Sequence, residues 1–277
     1  MRAALLQLTS SDDPTSNLRV TSELVRSAAS EGAGFILTPE VTNCVSNSRS
    51  HQRDVLQHEA DDQTLRGLRE DADRLGVWIL IGSLALKAEL PEERFLNRSF
   101  LIGPDGSIVA RYDKLHMFDV QVTEIETYKE SAGFAPGDHA VMADSAFGRI
   151  GMSICYDVRF AYLYRKLAQA GAEVLTVPAA FSPATGPTHW EPLLRARAIE
   201  TGSYVLAPAQ MGQHPASRGR SRTTHGHSLA VSPWGEVLVD GGQDFGVHLV
   251  DLDLDNVKKA RMKVPSLQHD RDVSGPA

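Results

Sequence analysis

The 277-residue chain is short of cysteine, of basic charge and of unbroken apolar runs, and each shortage removes a class of protein. With only Cys44 and Cys155 there is no disulfide framework and no cysteine-rich metal site, and a reducing compartment suits both thiols. The longest apolar block, Val77 to Leu86, is interrupted by Gly82 and Ser83 and falls far below the roughly 20 residues of a membrane-spanning helix. The amino terminus turns polar at Ser10, too early for the apolar core of a secretion signal, so a soluble cytoplasmic protein with no membrane partner is expected. Basic residues number 28 against 35 acidic ones, a net charge of −7, which argues against nucleic acid because phosphate binding needs clustered Lys and Arg. The one basic cluster, Arg218 to Arg222, reads as a solvated loop. What is present is length enough for a sizeable core, with 42% hydrophobic and 23% charged residues giving no ground for disorder. We expect one domain over 1–277, with a core at about 1–255 and a C-terminal extension over 256–277.

An internal duplication organises the chain. Gly32-Ala33-Gly34-Phe35-Ile36-Leu37-Thr38-Pro39 matches Gly171-Ala172-Glu173-Val174-Leu175-Thr176-Val177-Pro178, and Gly76-Val77-Trp78-Ile79-Leu80 matches Gly202-Ser203-Tyr204-Val205-Leu206. A third pair, Ser99 to Val109 against Ser228 to Leu238, carries the turns Pro104-Asp105-Gly106 and Pro233-Trp234-Gly235. Each half reads as short apolar strands alternating with helices and closing on a hairpin, the glycines standing where helices stop. Helices are expected near Asn17 to Ser30, Asp62 to Leu75, Tyr162 to Ala170 and Trp190 to Thr201. Sheets covered by helices on one face, packed sheet to sheet, give an α/β fold: a four-layer α-β-β-α sandwich with pseudo-twofold symmetry.

Three chemically capable residues end or follow strands. Glu40 closes Phe35 to Pro39, Lys114 follows Ile108 to Asp113, and Cys155 follows Arg149 to Ile154 at a strand-to-helix corner. Each has a plain alternative, since a free cysteine is often inert filler and Glu or Lys after a strand is usually solvated. Chemistry in α/β sheets gathers at the carboxyl ends of strands, where the three side chains can converge. The second half has Ala179 in place of Glu40, so the site would be unique. Together they can hydrolyse an amide through a thioester. Lys114 favours the thiolate and supports the oxyanion, the backbone N–H of Tyr156 supplies a second oxyanion donor, and Glu40 carries the protons.

The motifs Leu37-Thr38-Pro39-Glu40, Tyr112-Asp113-Lys114-Leu115-His116 and Gly151-Met152-Ser153-Ile154-Cys155-Tyr156-Asp157-Val158-Arg159-Phe160 resemble those of the nitrilase superfamily of carbon-nitrogen hydrolases, over nearly the whole chain. The resemblance implies a Glu-Lys-Cys triad without metal or organic cofactor, a sandwich that forms homodimers or higher homo-oligomers through its edge, and a second site glutamate matched by Glu130. The segment Thr185 to Glu200 resembles the branch that holds omega-amidase and deaminated-glutathione amidase, and Ala209 to His214 with His225-Gly226-His227-Ser228 is closer to the latter. The implied substrate is a small amide carrying a carboxylate, the ω-amide of an α-keto dicarboxylate. The resemblance gives Arg159 the carboxylate to grip and makes Phe181 and Thr185 pocket-lining, although Arg159 also suits a structural salt bridge at a helix start.

Other readings stay open at this level: an omega-amidase, an N-carbamoyl amidohydrolase, a nitrilase, or a binding protein that keeps the sandwich without turnover. A Cys-His site would use His116, and His225 with His227 has a metal-like spacing without a further ligand. Cys44, four residues past Glu40, is a small buried residue or one half of a redox lock with Cys155. Two loops depart from the branch pattern: Val122 to Glu126, within a lid over 121–130, and the Arg-rich stretch Ala216 to Thr224, within 212–224.

Overall fold

The computed structural model describes residues 1–122 and 127–275. Its centre is a pair of sheets with the same internal order. The first runs Gly246–Asp251, Arg2–Gln7, Phe35–Leu37, Trp78–Lys87, Phe95–Ile102, Ile108–Asp113; the second runs Val141–Ser145, Gly148–Met152, Val174–Thr176, Tyr204–Ala207, Leu229–Val231, Val237–Asp240. In both, an antiparallel edge strand is followed by three parallel strands and then by two antiparallel ones. The three matched sequence segments fall on equivalent strands, so the duplication is structural.

Period-two alternation builds the layers. Ala3 and Leu5 face the second sheet and join a core containing Ile150, Met152, Val174 and Leu206, while Ala4 and Leu6 face the helices and pack with Val25, Ala28, Leu68 and Ala72. A fully buried Leu or Phe in such a layer contributes about 1.5–3 kcal/mol. The covering helices of the first half are Pro14–Ser30 and Gln63–Leu75, and those of the second are Ala161–Gln169 and Gly186–Thr201, each overlapping the expected span.

Their ends follow from sequence. Asp13 accepts from the Thr15 amide at 3.0 Å with Pro14 opening the helix, and Asp62 accepts from the Leu65 amide at 2.8 Å. Gly76 and Gly202, equivalent in the duplication, both stop their helices in the left-handed region, at φ +65° and +59°. Two further helices, Arg49–Val55 and Asp255–Lys263, lie outside the expected set. Among the described residues no helix is long and apolar enough to cross a membrane.

Candidate active site

Glu40 and Cys155 reach the site from strand ends of opposite sheets, each beside a strained backbone. Cys155 itself has φ +48°, and so does Val41, next to Glu40; these are two of three non-glycine residues with positive φ among those described. For a β-branched valine that conformation is an outlier costing on the order of 1–3 kcal/mol, and it persists because its surroundings fix it. The Val41 amide donates to Ser83 Oγ at 2.8 Å, and the Cys155 amide donates to the Pro178 carbonyl at 2.9 Å.

The carboxylate of Glu40 is buried and fully engaged. Its Oε1 accepts from Lys114 Nζ at 2.8 Å and from Asn97 Nδ2 at 2.9 Å, and its Oε2 accepts from the Ala180 amide at 2.9 Å. Lys114, only 2% exposed, donates also to both oxygens of Glu130 at 2.9 Å, and Glu130 Oε2 accepts from the Phe118 amide at 2.7 Å. One ammonium is therefore clamped between two carboxylates, and the Cys155 thiol lies near enough to Glu40 for each to feel the other. Burial pushes Glu40 up, but the charge and hydrogen bond of Lys114, with Arg222 behind, hold its carboxyl below the usual range. Burial lowers Lys114, yet Glu130, Glu40 and Cys155 together raise it, so it stays an ammonium.

The thiol differs from expectation. Burial first, and the Glu40 charge second, push Cys155 well above the ordinary cysteine value, and Lys114 with the Ala180 amide only partly offsets them. Burial is the larger cause, and charge balance adds to it: Lys114 is shared by two carboxylates, so a thiolate would add a further negative charge to a buried group. Lys114 favours the thiolate without outweighing burial and the Glu40 charge.

Asp157 fixes the corner that carries Cys155. Its Oδ2 accepts from Tyr112 Oη at 2.6 Å and from the Ile154 amide at 2.8 Å, and its Oδ1 accepts from the His116 amide at 3.1 Å and meets His116 Nδ1 at 2.6 Å. His116 also stacks on Phe160 at 3.6 Å and bonds Tyr162, which ties it to Asp157 and the aromatic residues and leaves no Cys-His pair. The Tyr156 amide, next in chain to the thiol, has no backbone acceptor among the described residues.

These residues open on a cavity of about 920 Å³, lined by Glu40, Asn97, Lys114, Glu130, Cys155 and Tyr156, with Phe181 and Thr185 on its wall. Thr185 Oγ1 and Asn97 Oδ1 are buried there without partners, the kind of orphan that a ligand satisfies. Arg159 is not in the lining. It lies over Tyr156 and Phe181, 5.8 and 5.6 Å from the ring centroids, and meets His189 Nδ1 at 3.3 Å. No carboxylate pairs with it among the described residues, so the structural salt bridge is absent there.

Cys44 also lines the cavity as a free thiol pushed up to about 12 by burial and by Asp12 and Asp13, and Cys155 is likewise free. His225 and His227 stack at 4.5 Å, and His227 pairs with Asp240. Among the described residues no group of three or more His, Cys, Asp or Glu is placed to hold a metal ion. Of the lid over 121–130, residues 123–126 lie outside the described residues. Asn97 and Asp157 were missed by sequence reasoning, although Asn97 had a signal: it is a polar residue on the buried face of Phe95–Ile102, in line with Phe95 and Ser99.

A helix-covered double sheet holding a thiol, two carboxylates and an ammonium at the ends of its strands defines the carbon-nitrogen hydrolases. The carbon-nitrogen hydrolase family model matches residues 2–262, and the chain belongs to that family. It is a cysteine-dependent amidohydrolase related to the deaminated-glutathione amidases. The deaminated glutathione amidase of Yersinia enterocolitica is 39% identical over 98% of this chain and 93% of its own length. Among solved structures, the C. elegans NitFhit protein superposes with a TM-score of 0.90 at 33% identity; 98% of this chain is covered, and the chain spans 65% of that protein. A mutant amidase from Nesterenkonia sp. AN1 matches with a TM-score of 0.75 at 26% identity, covering 96% of this chain and 98% of that one, and acrylamide has added to its active-site cysteine.

Proposed function

We propose that the protein hydrolyses the ω-amide of an α-keto dicarboxylate, with deaminated glutathione as the substrate type, through a thioester on Cys155. The buried Glu40–Lys114–Glu130 cluster facing that thiol is the observation that carries the reading. Glu40 takes the thiol proton as Sγ attacks the carbonyl carbon. The oxyanion forms against Lys114 Nζ and the Tyr156 amide, and Glu40 returns the proton to the amine as the C–N bond breaks. Water, deprotonated by Glu40, then attacks the thioester, and the departing sulfur takes the proton back. Glu130 keeps Lys114 aimed and charged.

The lysine that holds the oxyanion favours the thiolate only in part, and the proton itself goes to Glu40, whose charge the thiol feels. Arg159 receives the keto-acid carboxylate, since a planar guanidinium without an acidic partner suits bidentate pairing, and Phe181 and Thr185 shape the acyl pocket. The names of relatives matched over nearly their full length support the substrate class.

Replacement of Cys155 by Ala tests the reading. Turnover of deaminated glutathione should fall by about 10⁴-fold or more, with unchanged circular dichroism, and rapid quench of the wild type should trap an acyl adduct on the Cys155 peptide. Substantial turnover by the Ala variant ends the proposal.

We further read residues 1–277 as one domain, because the strand Gly246–Asp251 completes the sheet begun by Arg2–Gln7. We place the protein in the cytoplasm, where free thiols persist. We also propose a homodimer. A surface on which Gly235 packs against Ile199, and Lys263 lies over Trp234, leaves Ile199, Trp234, Met262 and Val264 more than half exposed. The segment Val264 to His269 borders it.

A further inference from the structure

The cavity is positive in a negative protein. Among the described residues five cationic side chains line it, Arg49, Lys114, Lys129, Arg220 and Arg222, against two carboxylates, Glu40 and Glu130, while the chain as a whole carries −7. Lys114 is consumed by the two glutamates, which leaves a surplus of cations on other walls.

Two of the arginines are fixed in place without an acid. Arg49 Nη1 donates to Gln52 Oε1 at 2.9 Å, and its guanidinium lies 5.0 Å from the centroid of Phe134. It passes so close to Gly133 that a Cβ there would stand 2.0 Å from Arg49 Cζ, so a side chain at that position would push the guanidinium aside. Glu130 is near enough to feel its charge, but the oxygens of Glu130 are committed to Lys114 and the Phe118 amide. Arg222 Nη2 donates to the Ala180 carbonyl at 2.7 Å. Among the described residues neither arginine has a carboxylate within ion-pair distance, and each guanidinium has five N–H donors of which these bonds use one.

The loop bearing Arg222 is held rather than loose. Ser217 donates to Asp12 through its amide and hydroxyl at 2.7 and 2.8 Å, Arg218 pairs with Asp54 at 2.7 Å, and Asn47 Nδ2 donates to the Arg220 carbonyl at 3.2 Å. The Arg-rich stretch is the solvated loop expected from sequence, exposed over residues 217–221, and it is also pinned to the first half of the chain. It divides its arginines between an outer ion pair and the cavity wall.

Arg159, assigned above to the keto-acid carboxylate, stands with Tyr156 and Phe181 and is not in the lining, whereas Arg49 and Arg222 are part of it. We propose that Arg49 and Arg222 bind a carboxylate carried by the leaving amine. This inference rests on the amidase reading and sharpens it: the enzyme selects ω-amides of amino acids or short peptides over primary ω-amides that release ammonia. A primary amide would leave two partly desolvated guanidinium groups unmatched, whereas an amine ending in a carboxylate satisfies both.

The test compares two amides of one keto dicarboxylate that differ only at the end of the amine, one made with glycine and one with glycinamide. Wild-type enzyme should prefer the glycine amide by about tenfold or more in kcat/KM, mainly through KM, the worth of a charge-assisted hydrogen bond. Arg49→Gln and Arg222→Gln should each compress that ratio, the double variant to about twofold or less. A wild-type ratio below twofold, which needs no variant to fold, overturns the inference while leaving the amidase reading intact, as does a ratio that survives both substitutions. Failure to cleave either amide removes the amidase reading and this one with it.

Discussion

Cys155 is buried near one anion, Glu40, and one cation that is already shared, and this sets its behaviour with pH. A free cysteine ionises near about 8.5. Because burial and the Glu40 carboxylate both push the Cys155 thiol up, its alkylation by iodoacetamide should rise with a midpoint above that of a free cysteine. Glu40→Gln removes the anion and leaves Lys114, so the midpoint should move down although turnover is lost. An unchanged or higher midpoint in that variant would contradict the charge balance described here. The acid side follows from Glu40. Its carboxyl is held below the usual range, so the base form persists as pH falls through about 4.3, the ordinary glutamate value, and kcat/KM should lose its Glu40 limb only below that point. Lys114, raised, keeps its proton across the same range. Replacing Lys114 by Ala strips both the proposed oxyanion donor and the neutralising charge, and should lower kcat by about 10²–10³-fold.

At the scale of elements, the site is a matter of where strands stop and what pins the stop. Asp157, wholly buried, accepts from the Tyr112 hydroxyl and the Ile154 and His116 amides, and so joins the strand end at Tyr112 to the turn that carries the thiol. In Asp157→Asn one oxygen becomes an NH₂ group, which cannot accept, so a buried donor is left without a partner at about 1–3 kcal/mol. At this chain length that should lower Tm by several degrees and reduce kcat, because the Cys155 corner loses its brace. An unshifted melting curve with normal kcat would show the brace to be dispensable. The strands and helices that carry the motifs were legible because their signals are local: alternation, Asp caps with Pro14, and helix-stopping Gly76 and Gly202. The contacts that tune the site were not. Asn97 meets Glu40 across 57 residues and Asp157 meets Tyr112 across 45, and no short pattern records such pairings. The balance at the thiol was hidden for the same reason: Lys114 favours the thiolate as expected, but its sharing between Glu40 and Glu130 exists only after folding.

The two halves have the same strand order, yet they contribute different chemistry. The first half supplies Glu40 and Lys114, with Glu130 in the connection; the second supplies Cys155 and, at the place equivalent to the first half's acid, a run whose Ala180 amide donates to Glu40. An acid in one half is answered by an amide in the other, so neither half alone holds the site. The same asymmetry marks the outer surface. In the second half the turn Pro233-Trp234-Gly235 projects Trp234, 54% exposed, beside Ile199 at 56%, whereas the equivalent turn of the first half is Pro104-Asp105-Gly106, with an acidic residue at that position. Only one end of the pseudo-symmetric sandwich thus offers a large apolar side chain there. The proposed homodimer rests on this face, where Trp234, Ile199, Met262 and Val264 are unburied. Light scattering on the eluting protein should give twice the 30.2 kDa chain mass, and Trp234→Glu should return it to one chain with the monomer still folded, because Trp234 is not part of either core. A wild-type mass of one chain, or a Glu variant that stays paired, would remove this face as the dimer contact.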